Sequence, residues 1–158
     1  MKGWYNIAYG NGKFVVVGSA FDSCAASLID GENWSELIHF DNGIGFKRII
    51  FGNGKFVAIG NVNNANFAIT STDGRSWSAP NVIAGSNTVN AIGFGNGKFV
   101  AGTMNCEITV STDGVNWSPI KVIQSGMQIM DITHGKREIY YDRYCFQSCL
   151  WWICFNVC

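Results

Sequence analysis

Few side chains in this chain could carry out acid–base, metal or phosphate chemistry, and they do not fall into reactive spacings. His39 and His134 lie far apart, with no His-x-His or His-Glu-x-x-His spacing to set two imidazoles on one metal. Asp22, Glu32, Glu36 and Asp41 are scattered, so no carboxylate pair is poised for proton transfer. The recurring Gly-Asn-Gly-Lys run lacks the spacing of a phosphate-cradling loop. Asp73 and Asp113 each precede a glycine, where a carboxylate readily accepts backbone N–H bonds and braces a turn. The expectation is a chain with no catalytic residue, no cofactor and no metal site.

The exception is a run of cysteines at the end. Cys145, Cys149, Cys154 and Cys158 form Cys-x3-Cys-x4-Cys-x3-Cys, while Cys24 and Cys106 stand apart in the body. The run can be read as a four-thiolate metal site, as one face of an apolar helix, or as a tail never selected for a role. It lacks the Cys-x2-Cys knuckles of structural zinc sites, and Trp151 and Trp152 sit among the would-be ligands. The third reading is preferred.

The elements that must position any site come from an internal repeat. Tyr9-Gly-Asn-Gly-Lys-Phe-Val15 returns as Phe51 to Val57 and again as Phe94 to Val100. A second landmark keeps step: Asp30-Gly31 with Trp34, Asp73-Gly74 with Trp77, and Asp113-Gly114 with Trp117. The spacing is roughly 42 residues, near the length of one four-stranded propeller blade. Each unit reads as strand A up to the aromatic, an Asn-Gly type I′ hairpin, strand B, a variable loop, strand C, an Asp-Gly turn, and strand D opening at the tryptophan. Strand B (Phe-Val-Val-Val, Phe-Val-Ala-Ile) is apolar at every position, as in a sheet covered on both faces. The fold expected is all-β: a partial, open β-propeller of three four-stranded antiparallel blades plus a broken fourth. The units run over 1–43, 44–86 and 87–126, the fourth starts at 127–136, and 137–158 is an aberrant tail.

Composition narrows the function classes. The formal charge is balanced and charged residues are sparse, so there is no footprint for nucleic acid and no polybasic membrane patch. The start, Met-Lys-Gly-Trp-Tyr, lacks the apolar core of an export signal. No apolar stretch reaches the length of a membrane span.

Ser71-Thr-Asp-Gly-Arg-Ser-Trp77 and Ser111-Thr-Asp-Gly-Val-Asn-Trp117 resemble the Asp-box, or BNR, repeat of sialidases and related bacterial propellers. With Gly-Asn-Gly-Lys-Phe-Val, they look like the sialidase-like arrays of bacterial surface and phage-associated proteins. The box here is one residue shorter between Asp and Trp than the usual sialidase form, and Leu28 stands where later units have serine. The resemblance implies that the box is a structural hairpin away from any catalytic site. It makes Asp30, Gly31, Trp34, Asp73, Gly74, Trp77, Asp113, Gly114 and Trp117 repeat anchors, each tryptophan sealing one blade against the next. It also implies an extracellular, cell-surface or phage setting for the parent protein. A sialidase-type site needs clustered arginines, and the repeats hold Arg48, expected as an exposed or rim charge, and Arg75, in a turn at the wrong end of the blade.

The fourth unit begins in phase at Ile129 to Gly135, and the pattern stops after Lys136. The expectation is a frameshift near Lys136. Arg137 to Arg143, back-translated as AGG GAA ATT TAT TAT GAT AGG with the T of Tyr144, reads one base later as Gly-Lys-Phe-Ile-Met-Ile-Gly. The second unit has Gly54-Lys-Phe-Val-Ala-Ile-Gly60 at that point. Gene sequence across Lys136 decides the matter.

Topology puts the Asn-Gly and Asp-Gly hairpins on one rim and the variable loops on the other, where recognition usually resides. The candidate ligand-binding residues are Asn61, Asn63, Asn64 and Asn66 of one loop and Asn105 of another, with amides suited to sugar hydroxyls or a protein partner. The function expected is a non-catalytic segment that binds carbohydrate or a surface protein. The alternatives are a structural or protein-interaction propeller and, behind both, a remnant of a sialidase-like hydrolase. So short an array is expected to need further blades or self-association.

Overall fold

The computed structural model describes all residues except 1–2, 19–22, 29–31, 41–42, 86, 124–126, 136–137, 146–149 and 156–158. The side chains of 127, 135, 138–145 and 150–155 also fall outside the description. Each repeat forms its own antiparallel meander. Sheet 1 contains β1 (Trp4–Gly10), β2 (Lys13–Gly18), β3 (Cys24–Leu28) and β4 (Ile38–His39). Sheet 2 contains β5 (Gly45–Gly52), β6 (Lys55–Val62), β7 (Ala65–Ser71) and β8 (Asn81–Ile83). Sheet 3 contains β9 (Val89–Gly95), β10 (Lys98–Thr103), β11 (Glu107–Ser111) and β12 (Lys121–Val122). Sheet 4 has three strands, β13 (Met127–Gly135), β14 (Glu138–Cys145) and β15 (Leu150–Phe155). This is the expected all-β partial propeller.

The first hairpin of each unit closes where a positive φ is cheapest. Asn11 and Gly12, Asn53 and Gly54, and Asn96 and Gly97 all take the left-handed conformation that a type I′ turn requires. Register then follows: Gly10 opposes Lys13, Gly52 opposes Lys55, Gly95 opposes Lys98, and Gly135 opposes Glu138. A bulge one strand-length away recurs too, between Trp4 and Asn6, Phe46 and Arg48, and Ile129 and Asp131.

Strand B of sheet 2 is buried on both faces because a sheet lies on each side. Phe56 and Ala58 point into a seam with Val15, Val17 and Ala25 of sheet 1. Val57 and Ile59 point the other way, against Val89, Ile92 and Phe99 of sheet 3. A third seam joins Ala91, Val100 and Cys106 to Ile129 and Ile132 of sheet 4. Cys24 and Cys106 are buried, as small apolar residues would be.

Two expectations need correction. Strand D does not open at the tryptophan; it is a short strand starting four residues later. Where it should begin, the Ser35, Ser78 and Ser118 hydroxyls accept the N–H of Ser27, Thr70 and Val110 in place of a strand carbonyl. Pro80 and Pro119 then offer no N–H of their own. Second, 61–66 is not a loop. β6 and β7 run through it, and Asn63 and Asn64 alone form the turn, with φ of 48° and 64°. The helical reading of the stretch after Lys136, one of the three left open, does not hold where that stretch is described. β14 and β15 take the B and C positions of a fourth sheet, as suits aromatic and β-branched residues. Cys145 and Cys154 lie on these strands, whereas Asp30, Gly31, Lys136, Cys149 and Cys158 lie outside the described residues.

Candidate functional site

The repeat landmarks sit where one sheet meets the next. Asn11 Nδ2 donates to the carbonyls of Gly54 and Thr72 in sheet 2, both at 3.2 Å. Asn53 Nδ2 repeats this toward Gly97 at 3.1 Å and Thr112 at 3.0 Å in sheet 3. Lys13 Nζ donates to the Asp73 carbonyl, and Lys55 Nζ to that of Asp113. A Cβ on Gly10 would meet the Phe51 ring, one on Gly52 the Phe94 ring, and one on Gly95 the His134 ring. Each hairpin is therefore a latch onto the following unit. A turn alone needs no lysine, so its recurrence at Lys13, Lys55 and Lys98 is the sequence signal that was missed.

The Asp-Gly turns are braced as expected. Asp73 Oδ1 accepts from the N–H of Arg75 and Ser76 and from the Ser71 hydroxyl, at 2.7–3.0 Å. Asp113 does the same with Val115, Asn116 and Ser111. These backbone N–H groups hold both carboxyls well below the usual carboxylate range. Gly74 packs so that a Cβ would lie 2.5 Å from Val15 Cγ2 of the preceding sheet, and one on Gly114 would lie 2.6 Å from Val57 Cγ2. Trp77 and Trp117 pack against the seams, sealing sheet to sheet. Trp34 does not; it is exposed, with no preceding sheet to cover it among the described residues.

The asparagines of the second rim divide. Asn66 is buried, donating to the Asn87 carbonyl at 2.7 Å and accepting from Val89 N–H at 3.0 Å. It braces the strand and is not open to a ligand. Asn63 and Asn64 are exposed at the turn, and Asn61 is a partly buried β6 residue. Asn105 joins a polar cluster: its Nδ2 donates to Asn87 Oδ1 at 2.9 Å, and Asn87 Nδ2 donates to Glu107 at 3.1 Å. Thr103 Oγ1 completes it with a 3.0 Å bond to Glu107 Oε2.

A second concavity was not foreseen. The A strands of all four units line a 610 Å³ groove. Ile49, Ile92 and Ile132 give it an apolar floor; Asn6, Arg48 and Asp131 bring an amide, a guanidinium and a carboxylate; Tyr5 and Tyr9 add rings at one end. Arg48 is therefore a groove residue and not a charge on the rim. Sequence reasoning missed this because strand bulges, which re-aim side chains, fall just before Asn6, Arg48 and Asp131. Among the described residues, no group of three or more His, Cys, Asp or Glu could hold a metal ion. His134 stacks over Gly95, and His39 is exposed on β4.

The stacked meanders define the class: this is a β-propeller fold. No family model matches the chain, and no curated protein does. Its architecture is similar to the computationally designed Ika4 protein, at 9% identity and a TM-score of 0.62 over 98% of this chain and 92% of that one. It is also similar to the WD40 domain of Pan2 from Neurospora crassa, at 9% identity and 0.67 over 90% of this chain and 44% of the domain. YCF48 bound to D1 peptide follows, at 14% identity and 0.60 over 93% and 50%. The chain thus spans about half the length of Pan2's domain and of YCF48. Glycoside hydrolases are among the similar structures as well.

Proposed function

We propose that this chain is a non-catalytic segment of a sialidase-like, Asp-box propeller that binds carbohydrate in the groove lined by its A strands. The observation carrying the proposal is the make-up of that groove: one guanidinium, one carboxylate and one amide above an isoleucine floor, flanked by two tyrosines. Such a mix offers directed hydrogen bonds to hydroxyl or carboxylate groups and an apolar surface for the face of a sugar ring. The Asp-box carboxylates support a role without catalysis. Oδ1 of each accepts turn N–H groups that favour the ionised form, which suits bracing a hairpin better than donating a proton.

A glycan array probed with the intact chain tests this. Saturable binding to a defined set of glycans is expected, with loss of signal in Arg48→Ala. An array blank for the wild-type chain rejects the carbohydrate reading. Turnover of a fluorogenic sialoside by the wild-type chain, abolished in Arg48→Ala, would overturn the non-catalytic one.

A further inference from the structure

Sheet 1 turns one face away from the rest of the molecule, and its neighbours show what such a face is for. Strand register equates Ile7 with Ile49 and Ile92, and Phe14 with Phe56 and Phe99. In sheets 2 and 3 these positions are 0–5% exposed, because the preceding sheet covers them. In sheet 1, Ile7 is 51% and Phe14 is 41% exposed. Trp4 and Trp34 on the same face are exposed too, around a 530 Å³ hollow floored by Val16 and Ala26, and Tyr9 is exposed beside Phe14. So many large apolar groups in one patch mark an interface.

The far end of the chain carries the matching features. Each internal junction uses a glycine to seat the next unit's aromatic ring: Phe51 over Gly10, Phe94 over Gly52, His134 over Gly95. Tyr9 is the corresponding ring of sheet 1 and has no glycine beneath it among the described residues. Gly135, opposite Glu138, is the corresponding glycine of sheet 4, and no further unit follows it among the described residues. A second pairing agrees. Asn6 Oδ1 accepts the Ile49 N–H at 2.9 Å across the first junction. Asp131 holds the Asn6 position in sheet 4, and the N–H of Ile7 is the equivalent donor in sheet 1.

We infer that sheet 1 docks on sheet 4 of a second copy of this chain, head to tail, with Tyr9 stacked over Gly135 and the Ile7 N–H bonded to Asp131. The contact is heterologous, so an open assembly keeps one unused head and one unused tail unless it closes into a ring. The groove lined by the A strands would then continue from one copy into the next.

Sedimentation velocity on the full chain over a concentration series tests the inference. The wild type is expected to assemble. Tyr9→Asp, at an exposed position, is expected to weaken assembly on the order of 100-fold while leaving the far-ultraviolet spectrum intact. Gly135→Val is expected to weaken it as well. The decisive arm mixes the two variants: each keeps the surface the other has lost, so the mixture forms a one-to-one complex that neither forms alone. A monomeric wild type, a Tyr9→Asp chain that assembles as before, or a mixture that stays monomeric overturns the inference.

Discussion

The outer face of sheet 1 and the same faces of sheets 2 and 3 share a pattern and differ in fate. Phe14, Phe56 and Phe99 occupy one register position, follow the same Gly-Lys and precede the same valine. Two of them are sealed in seams and one meets solvent. The difference lies in what sits alongside the sheet. A propeller unit specifies half of each interface, and its neighbour supplies the other half. A residue type in a repeat therefore reports the environment for which the unit is built, whether or not one chain fills it.

The largest expected effect breaks this comparison most directly. Phe56→Ala and Phe99→Ala should each lower unfolding free energy by about 3–5 kcal/mol, the range for large aromatic residues cut back in a packed core. Phe14→Ala, measured on chains dilute enough to be unassembled, should cost about 1 kcal/mol, since it gives up partial burial and one tilted contact with Tyr9. Urea melts of the three variants check this. Equal losses would mean that sheet 1 is already covered, or that the seams add little.

A smaller effect sharpens the idea that the glycines are seats for the next unit's rings. Gly52 keeps an ordinary φ, so an alanine there is tolerated by the backbone and resisted by the Phe94 ring. Gly52→Ala should cost about 1–3 kcal/mol, the usual range for overpacking. Most of that cost should vanish when Phe94 is also alanine, because the two residues act on one contact. A double-mutant cycle by urea denaturation reads the coupling. Additive losses would separate the glycine from the ring and weaken the argument placing Tyr9 over Gly135.

Legibility follows the range of the interaction. Strands A to C and their turns were readable because Asn-Gly, the aromatic before it and the apolar run after it act over a few residues. Strand D was misplaced because Ser35, Ser78 and Ser118 replace ladder bonds with side-chain bonds, which no periodicity records. Asn66 looked like a loop amide and is a brace, since its partners Asn87 and Val89 belong to the next unit's approach. The groove was out of reach for the same reason: Asn6, Arg48 and Asp131 come from three units and meet through the turn of one sheet against another. The Asp-box bracing was the opposite case, a contact within six residues and predictable from them.

The smallest expected effect concerns those boxes and separates sheets 2 and 3 from sheet 1 once more. Asp73 and Asp113 have carboxyls held below their unfolded values, which lie near pH ~3.9. A group depressed in the folded state adds stability above the unfolded value and loses it as pH falls through the folded one. Wild-type stability should therefore fall with increasing slope below pH ~4, and Asp113→Asn should flatten that slope while lowering stability at neutral pH. Both boxes are partly exposed and screened by solvent, so each difference should be about 1 kcal/mol or less. Denaturant midpoints measured at neutral and acidic pH read it. Sheet 1 has Leu28 where Ser71 and Ser111 share a proton with the aspartate and accept the glycine N–H. Ser111→Ala should then flatten the acid slope as well, by less than Asp113→Asn does. An unchanged slope in Ser111→Ala would show that the backbone N–H groups of Val115 and Asn116 alone set the carboxylate's preference and that the serine adds nothing.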